Sequence, residues 1–166
     1  MKTKTIIVSV AFVLVIVGLL AWSNAASAPA AAPAGAEKSA LAASETFYDF
    51  GTISMKNGNV VKEFTITNPT DRSITVKSVL TSCMCTNAFV VSGDGSVKGP
   101  FGMPGHGGAA PPINELVGAG ESRVIRVVYD PNAHGPAGVG RIDRSISLTD
   151  SAGGTLELGI RANVTP

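Results

Sequence analysis

"GRIDRSISLTD" (140–150) and "TLELGIRANV" (155–164) are joined through "DSAGG" at 150–154. In the first run Ile142, Ile146 and Leu148 fall on one face, and Asp143, Ser145 and Ser147 on the other. In the second, Leu156, Leu158, Ile160, Ala162 and Val164 share a face. A period of two marks a strand with one side in a core and one in water. The same reading extends backwards along the chain. "ETFYDFGTI" (45–53) is a strand candidate. "NVVKEFTITN" (59–68) sets Val60, Lys62, Phe64 and Ile66 against Val61, Glu63, Thr65 and Thr67. "RSITVKSVLTS" (72–82) puts Ile74, Val76 and Leu80 on one face, and "ESRVIRVVYD" (121–130) is rich in β-branched residues. "KNGN" at 56–59 and "NPTDR" at 68–72 carry turn chemistry, and Pro69 closes a strand because it has no amide hydrogen for a ladder. With no amphipathic helix and no internal repeat, short strands at near-regular spacing predict an all-β sandwich of about seven strands.

The strands occupy only part of the 166 residues. "MKTKTIIVSVAFVLVIVGLLAW" is a basic start followed by an apolar run from Ile6 to Trp22, an export signal. The run is long enough for an uncleaved hydrophobic helix, with Trp22 at the membrane interface, and "SNA" at 23–25 offers a cleavage site as the alternative. The anchor reading is preferred. The charges before the run keep the N-terminus inside, so the protein is exported and its body lies outside the cytoplasm, where disulfides are permitted. Residues 23–44, rich in Ala, Pro, Gly and Ser, read as a disordered, flexible linker in which Glu37 to Ala43 could form one helical turn. The expected organisation is therefore 1–22 membrane segment, 23–44 linker and 45–166 sandwich. Net charge is +1, and −1 without Lys2 and Lys4. No basic stripe exists to neutralise phosphates, so nucleic acid is not an expected partner.

Residues 92–120, "SGDGSVKGPFGMPGHGGAAPPINELVGAG", break the rhythm. Their Gly and Pro content predicts a long loop without strands, of the kind that is usually functional or disordered. "FYDFGTI" (47–53), "VVKEFTITNPTDRSITVKSVLTSCMCT" (60–86) and "GAGESRVIRVVYDP" (118–131) together resemble the bacterial domain-of-unknown-function 1573 family. The resemblance implies an immunoglobulin-like β-sandwich of the ASPM–SPD-2–Hydin type and an exported or envelope-associated setting. It implies no particular chemistry. Two departures stand out: Met84 replaces the glycine of the family's Cys-Gly-Cys, and a short connection is expanded into the segment carrying Met103 and His106.

Cys83 and Cys85 are the only cysteines. Three readings are open. They could pack as small hydrophobes at a strand end, or close a simple disulfide. They could form a strained, switchable disulfide, since a bridge between residues i and i+2 closes a very small ring. They could hold a soft metal, Cu(I) above all, with Met103 and His106 completing the ligand set. The spacing is not the Cys-x-x-Cys of thioredoxin-like enzymes. His134, in "YDPNAHGPAGVGR", reads as a solvated loop residue more than a ligand, and gains interest only if its loop and the 100–108 loop lie at the same end of the sandwich. "SGDGSVKG" reads as a turn because the spacing of a phosphate loop is missing, and Asp94 lacks the acidic run of a calcium site. No Gly-x-Ser-x-Gly marks a hydrolase. The expected function is a non-enzymatic, envelope-displayed binding or scaffold module without a cofactor. Its partner would be a protein or another envelope component. The alternatives are copper handling and an extracytoplasmic thiol switch.

Overall fold

The computed structural model describes residues 37–105 and 112–166. Ten strands run in order: β1 (Ala42–Ala43), β2 (Phe47–Ser54), β3 (Val60–Thr67), β4 (Ile74–Thr81), β5 (Thr86–Val91), β6 (Val97–Phe101), β7 (Glu115–Val117), β8 (Ser122–Tyr129), β9 (Gly140–Asp150) and β10 (Thr155–Thr165). They form two five-stranded sheets, ordered β1-β3-β8-β5-β6 and β2-β10-β9-β4-β7. The expected all-β sandwich is present, with ten strands instead of about seven. Among the described residues no helix is long and apolar enough to cross a membrane. The hydrophobic segment 1–22 lies outside the described residues.

The core is built from the alternating positions. β10 buries Leu156, Leu158, Ile160, Ala162 and Val164, and β9 buries Ile142, Ile146 and Leu148. Phe64 and Ile66 of β3, Ile125, Val127 and Tyr129 of β8, and Ala88 and Val90 of β5 face them from the other sheet. β9 and β10 pair antiparallel in register from Thr155↔Thr149 to Val164↔Gly140. At their hairpin Asp150 accepts the amides of Ala152 and Gly154 at 2.9 Å each.

Three expectations are corrected. β4 does not bury Leu80. Its ladder with β9 shifts register between Val76 and Ser78, so Val79 replaces Leu80 on the inner face. An extra residue inserted in a strand reverses every later side chain, which simple alternation cannot foresee. Secondly, the 92–120 segment contains β6 and β7. Among the described residues β6 pairs only with β5, and an edge strand tolerates Gly99 and Pro100 because its outer amides need no partner. β7 is held against the start of β4, Ile74↔Val117 to Val76↔Glu115.

Thirdly, the last part of the predicted linker belongs to the sandwich, and it is strand, not a helical turn. Thr155 donates to the Glu37 carbonyl at 2.7 Å and Ser39 donates to the Thr155 carbonyl at 3.1 Å. Ser39 Oγ donates to Asp150 at 2.6 Å, and β1 then pairs with the end of β3 on the opposite sheet. Leu41, between these two attachments, is only 2% exposed. One apolar residue in an Ala-rich run is a weak signal, and burial needs the two sheets to be in place.

Charges also cross the sandwich. Glu115 on β7, 4% exposed, takes Lys98 Nζ of β6 at 2.6 Å, Arg123 Nε of β8 at 2.6 Å and Ser92 Oγ at 3.0 Å. Burial alone would raise its pKa. The bonds from Lys98, Arg123 and Ser92 outweigh that and hold it below the ordinary value of 4.5. Asn68, wholly buried, works at the β3–β4 crossing: its Nδ2 donates to the carbonyls of Arg72 and Val117, and its Oδ1 accepts from Thr70.

Two outcomes follow from this architecture. Leu41→Ala should lower unfolding free energy by about 3 kcal/mol in urea titration, the range for a buried large-to-small change. A surface tether would show no change. Glu115→Gln should cost about 2 kcal/mol near neutral pH. Because the folded-state pKa is depressed, that gap should be full above 4.5 and shrink as pH falls through the folded value, read as converging denaturation midpoints.

Candidate functional site

β4 and β5 belong to different sheets, and the chain passes between them in residues 82–85, "SCMC". The corner is closed locally. Thr86 N donates to the Cys83 carbonyl at 3.1 Å, and the buried Thr81 Oγ1 lies 3.1 Å from the Cys83 carbonyl and 2.9 Å from that of Thr86. Ser82 N donates to the Ser145 carbonyl, and Ser145 N to Ser82 Oγ, tying the corner to β9. Cys83 and Cys85 are joined by a disulfide across this turn, with Cα atoms 5.3 Å apart. Cys85 is 1% exposed, whereas Met84 between them is 51% exposed. The tight turn aims both sulfurs into the protein and the thioether residue out of it.

His134 and Arg144 flank the sulfurs. His134 Nε2 lies 3.2 Å from Cys83 Sγ. Its loop, between β8 and β9, is fastened to the corner by Asp130 N donating to the Cys85 carbonyl at 2.9 Å. His134 is an exposed loop residue as expected, and its imidazole also rests on a cysteine sulfur. Arg144 Nε donates to Cys85 Sγ at 3.3 Å. Arg144 has the same parity on β9 as Ile142, Ile146 and Leu148, so it occupies an inward register at the rim of the core. A cation in an inward register is a signal visible in "RIDRSISL". His134 carried no such signal, because only the packing of two loops brings it near.

The sulfurs of Cys83 and Cys85 and a ring nitrogen of His134 all lie within 4.8 Å of one another. The residues expected to complete a ligand set fare differently. Phe101 ends β6, and Thr81 N donates to the Gly102 carbonyl at 3.2 Å, so Met103 leaves the sandwich close to the corner. His106 lies outside the described residues. "SGDGS" is a turn between β5 and β6, where Asp94 Oδ1 accepts the Ser96 amide at 2.9 Å.

The DUF1573 family of proteins of unknown function matches residues 41–92. This bears out the resemblance over "FYDFGTI" and the stretch through "SCMCT"; "GAGESRVIRVVYDP" lies beyond the matched residues. No curated protein matches the chain. Among solved structures, a protein of unknown function from Porphyromonas gingivalis W83 is similar at a TM-score of 0.55 and 16% identity, over 80% of this chain and 50% of that one. This chain thus spans half the length of that protein. The ASH/PapD-like domain 7 of human CEP192 is similar at a TM-score of 0.45 and 12% identity, over 84% of this chain and 95% of that one. The Vibrio cholerae VesB protease aligns at 0.46 and 18%, over 76% and 32%. Of these three only the first exceeds a TM-score of 0.5, and at 16% identity the likeness is one of fold.

A guanidinium beside Cys85 favours the thiolate over the neutral sulfur of the disulfide, and so favours the reduced state. Arg144→Gln should make the reduction potential of the Cys83–Cys85 pair more negative by about 30 mV, a tenfold change in the equilibrium with a reference dithiol. An unchanged potential would show that Arg144 does not act on the sulfurs.

Proposed function

We propose that this chain is a non-enzymatic, exported β-sandwich module, held at the cytoplasmic membrane by its N-terminal segment and displayed outside the cytoplasm. It binds a protein or another envelope component through one end of the sandwich. The observation that carries this reading is the convergence of connections at that end. The 82–85 corner, the 130–139 loop and the departure of residue 102 from β6 are linked by backbone hydrogen bonds to Cys85 and Thr81. Met84 projects from them, half exposed. Loops fixed on a rigid strand scaffold are the usual recognition surface of such folds, and an exposed methionine adapts readily to a partner's apolar surface.

A second reading is an extracytoplasmic thiol/disulfide switch. It is favoured by one specific contact pattern: His134 and Arg144 approach the two sulfurs of the same disulfide from separate elements. The two readings are compatible, since a change at the corner would be felt at Met84.

The binding reading is tested with a photoreactive amino acid placed singly at 84 or at 71 of the full-length protein in intact cells. Asp71 is exposed on the β3–β4 connection at the opposite end of the sandwich. A discrete adduct from position 84 that is absent from position 71 is expected. Equal adducts from both positions, or none from 84, would refute it.

A further inference from the structure

Three ligand atoms converge at the corner from two different connections: two cysteine sulfurs and an imidazole nitrogen within 4.8 Å of one another. We infer that the reduced corner is a Cu(I) site formed by Cys83 Sγ, Cys85 Sγ and His134 Nε2. This ligand set differs from the one suggested by the sequence, because His134 takes the place of Met103 and His106.

The step that opens the site balances simply. An external dithiol gives two electrons and two protons to the Cys83–Cys85 bond and becomes a disulfide itself. Cu(I) then displaces the two thiol protons and binds two thiolates. The cysteine Cα atoms stand 5.3 Å apart. Two sulfurs each about 2.3 Å from one ion, in a trigonal arrangement, are separated by roughly 4 Å, which rotation of the side chains can supply. His134 lies on the side of Cys83 already, at 3.2 Å.

The ligand chemistry selects the metal. Thiolates are soft donors and suit Cu(I). Zinc in a closed structural site takes four protein ligands, and this cluster supplies three. Charge points the same way. Two thiolates and one Cu(I) carry a net charge of −1, and Arg144, donating to Cys85 Sγ at 3.3 Å, cancels it. A divalent ion would leave the guanidinium as an uncompensated positive charge beside a neutral centre. The corner is half sheltered: Cys85 is buried, while His134 and Met84 are exposed, so the ion can enter and leave.

The test uses the full chain in detergent micelles, reduced and under argon, with Cu(I) offered in competition with a coloured chelator. The expected result is one Cu(I) per chain, at least tenfold weaker binding in His134→Ala, and no stoichiometric binding in Cys83→Ser/Cys85→Ser. Because Cys85 is buried and the double variant can lose its fold, His134→Ala, a surface change, is the deciding variant. X-ray absorption at the copper edge should show two sulfur neighbours and one nitrogen, with the nitrogen lost in His134→Ala. Undiminished affinity in His134→Ala, or an unchanged spectrum, would overturn the site. Loss of affinity in Met103→Leu or His106→Ala with His134→Ala unaffected would overturn it in favour of the 102–112 segment.

Discussion

The chain must pass from one sheet to the other between β4 and β5 within four residues, and much of the molecule is arranged around that crossing. Packed sheets lie about 10 Å apart. The passage is folded into a tight turn, and the corner is tied at every level. Thr81 closes it through its hydroxyl, Ser82 binds it to β9, and the disulfide spans it. The loop leading out of β8 and the chain leaving β6 are hydrogen-bonded to it in turn. Chemistry-bearing side chains meet there because three connections meet there.

Elsewhere the two sheets are joined by a few polar links that depend on the core being dry. Glu115 reaches from one sheet to Lys98 and Arg123 on the other, and Asn68 ties the β3–β4 connection to β7 through the carbonyls of Arg72 and Val117. No buried side-chain nitrogen or oxygen among the described residues lacks a partner. The segment 37–44 adds a strap that touches one sheet at Thr155 and the other at Thr67, with Leu41 buried between. A sandwich sealed this way offers a rigid base for its loops, which is what both a recognition surface and a small soft-metal site require.

The candidate site was half legible. Cys83 and Cys85 announce themselves by spacing, and Arg144 is readable afterwards as a cation in an inward register of β9. His134 could not have been found this way. It lies 51 positions from Cys83 in the chain, and its loop has no periodicity to place it. Met103 and His106 lie near the cysteines in sequence, whereas the approach of His134 depends on spatial distance alone. Met103 does leave β6 close to the corner, through the Thr81 bond to Gly102.

What the sequence by itself determined was the class of fold and the faces of the long strands. Alternation in β3, β9 and β10 sorts side chains into core and solvent without any knowledge of neighbours, because the pleat has a fixed period of two. Only the tertiary structure decided the rest. The bulge that buries Val79 in place of Leu80, the short strands β1, β5, β6 and β7, and the meeting of His134 with Cys83 all depend on partners distant in the chain. Those features owe their stability to pairing and burial across the sandwich, and a local pattern carries no record of what lies opposite.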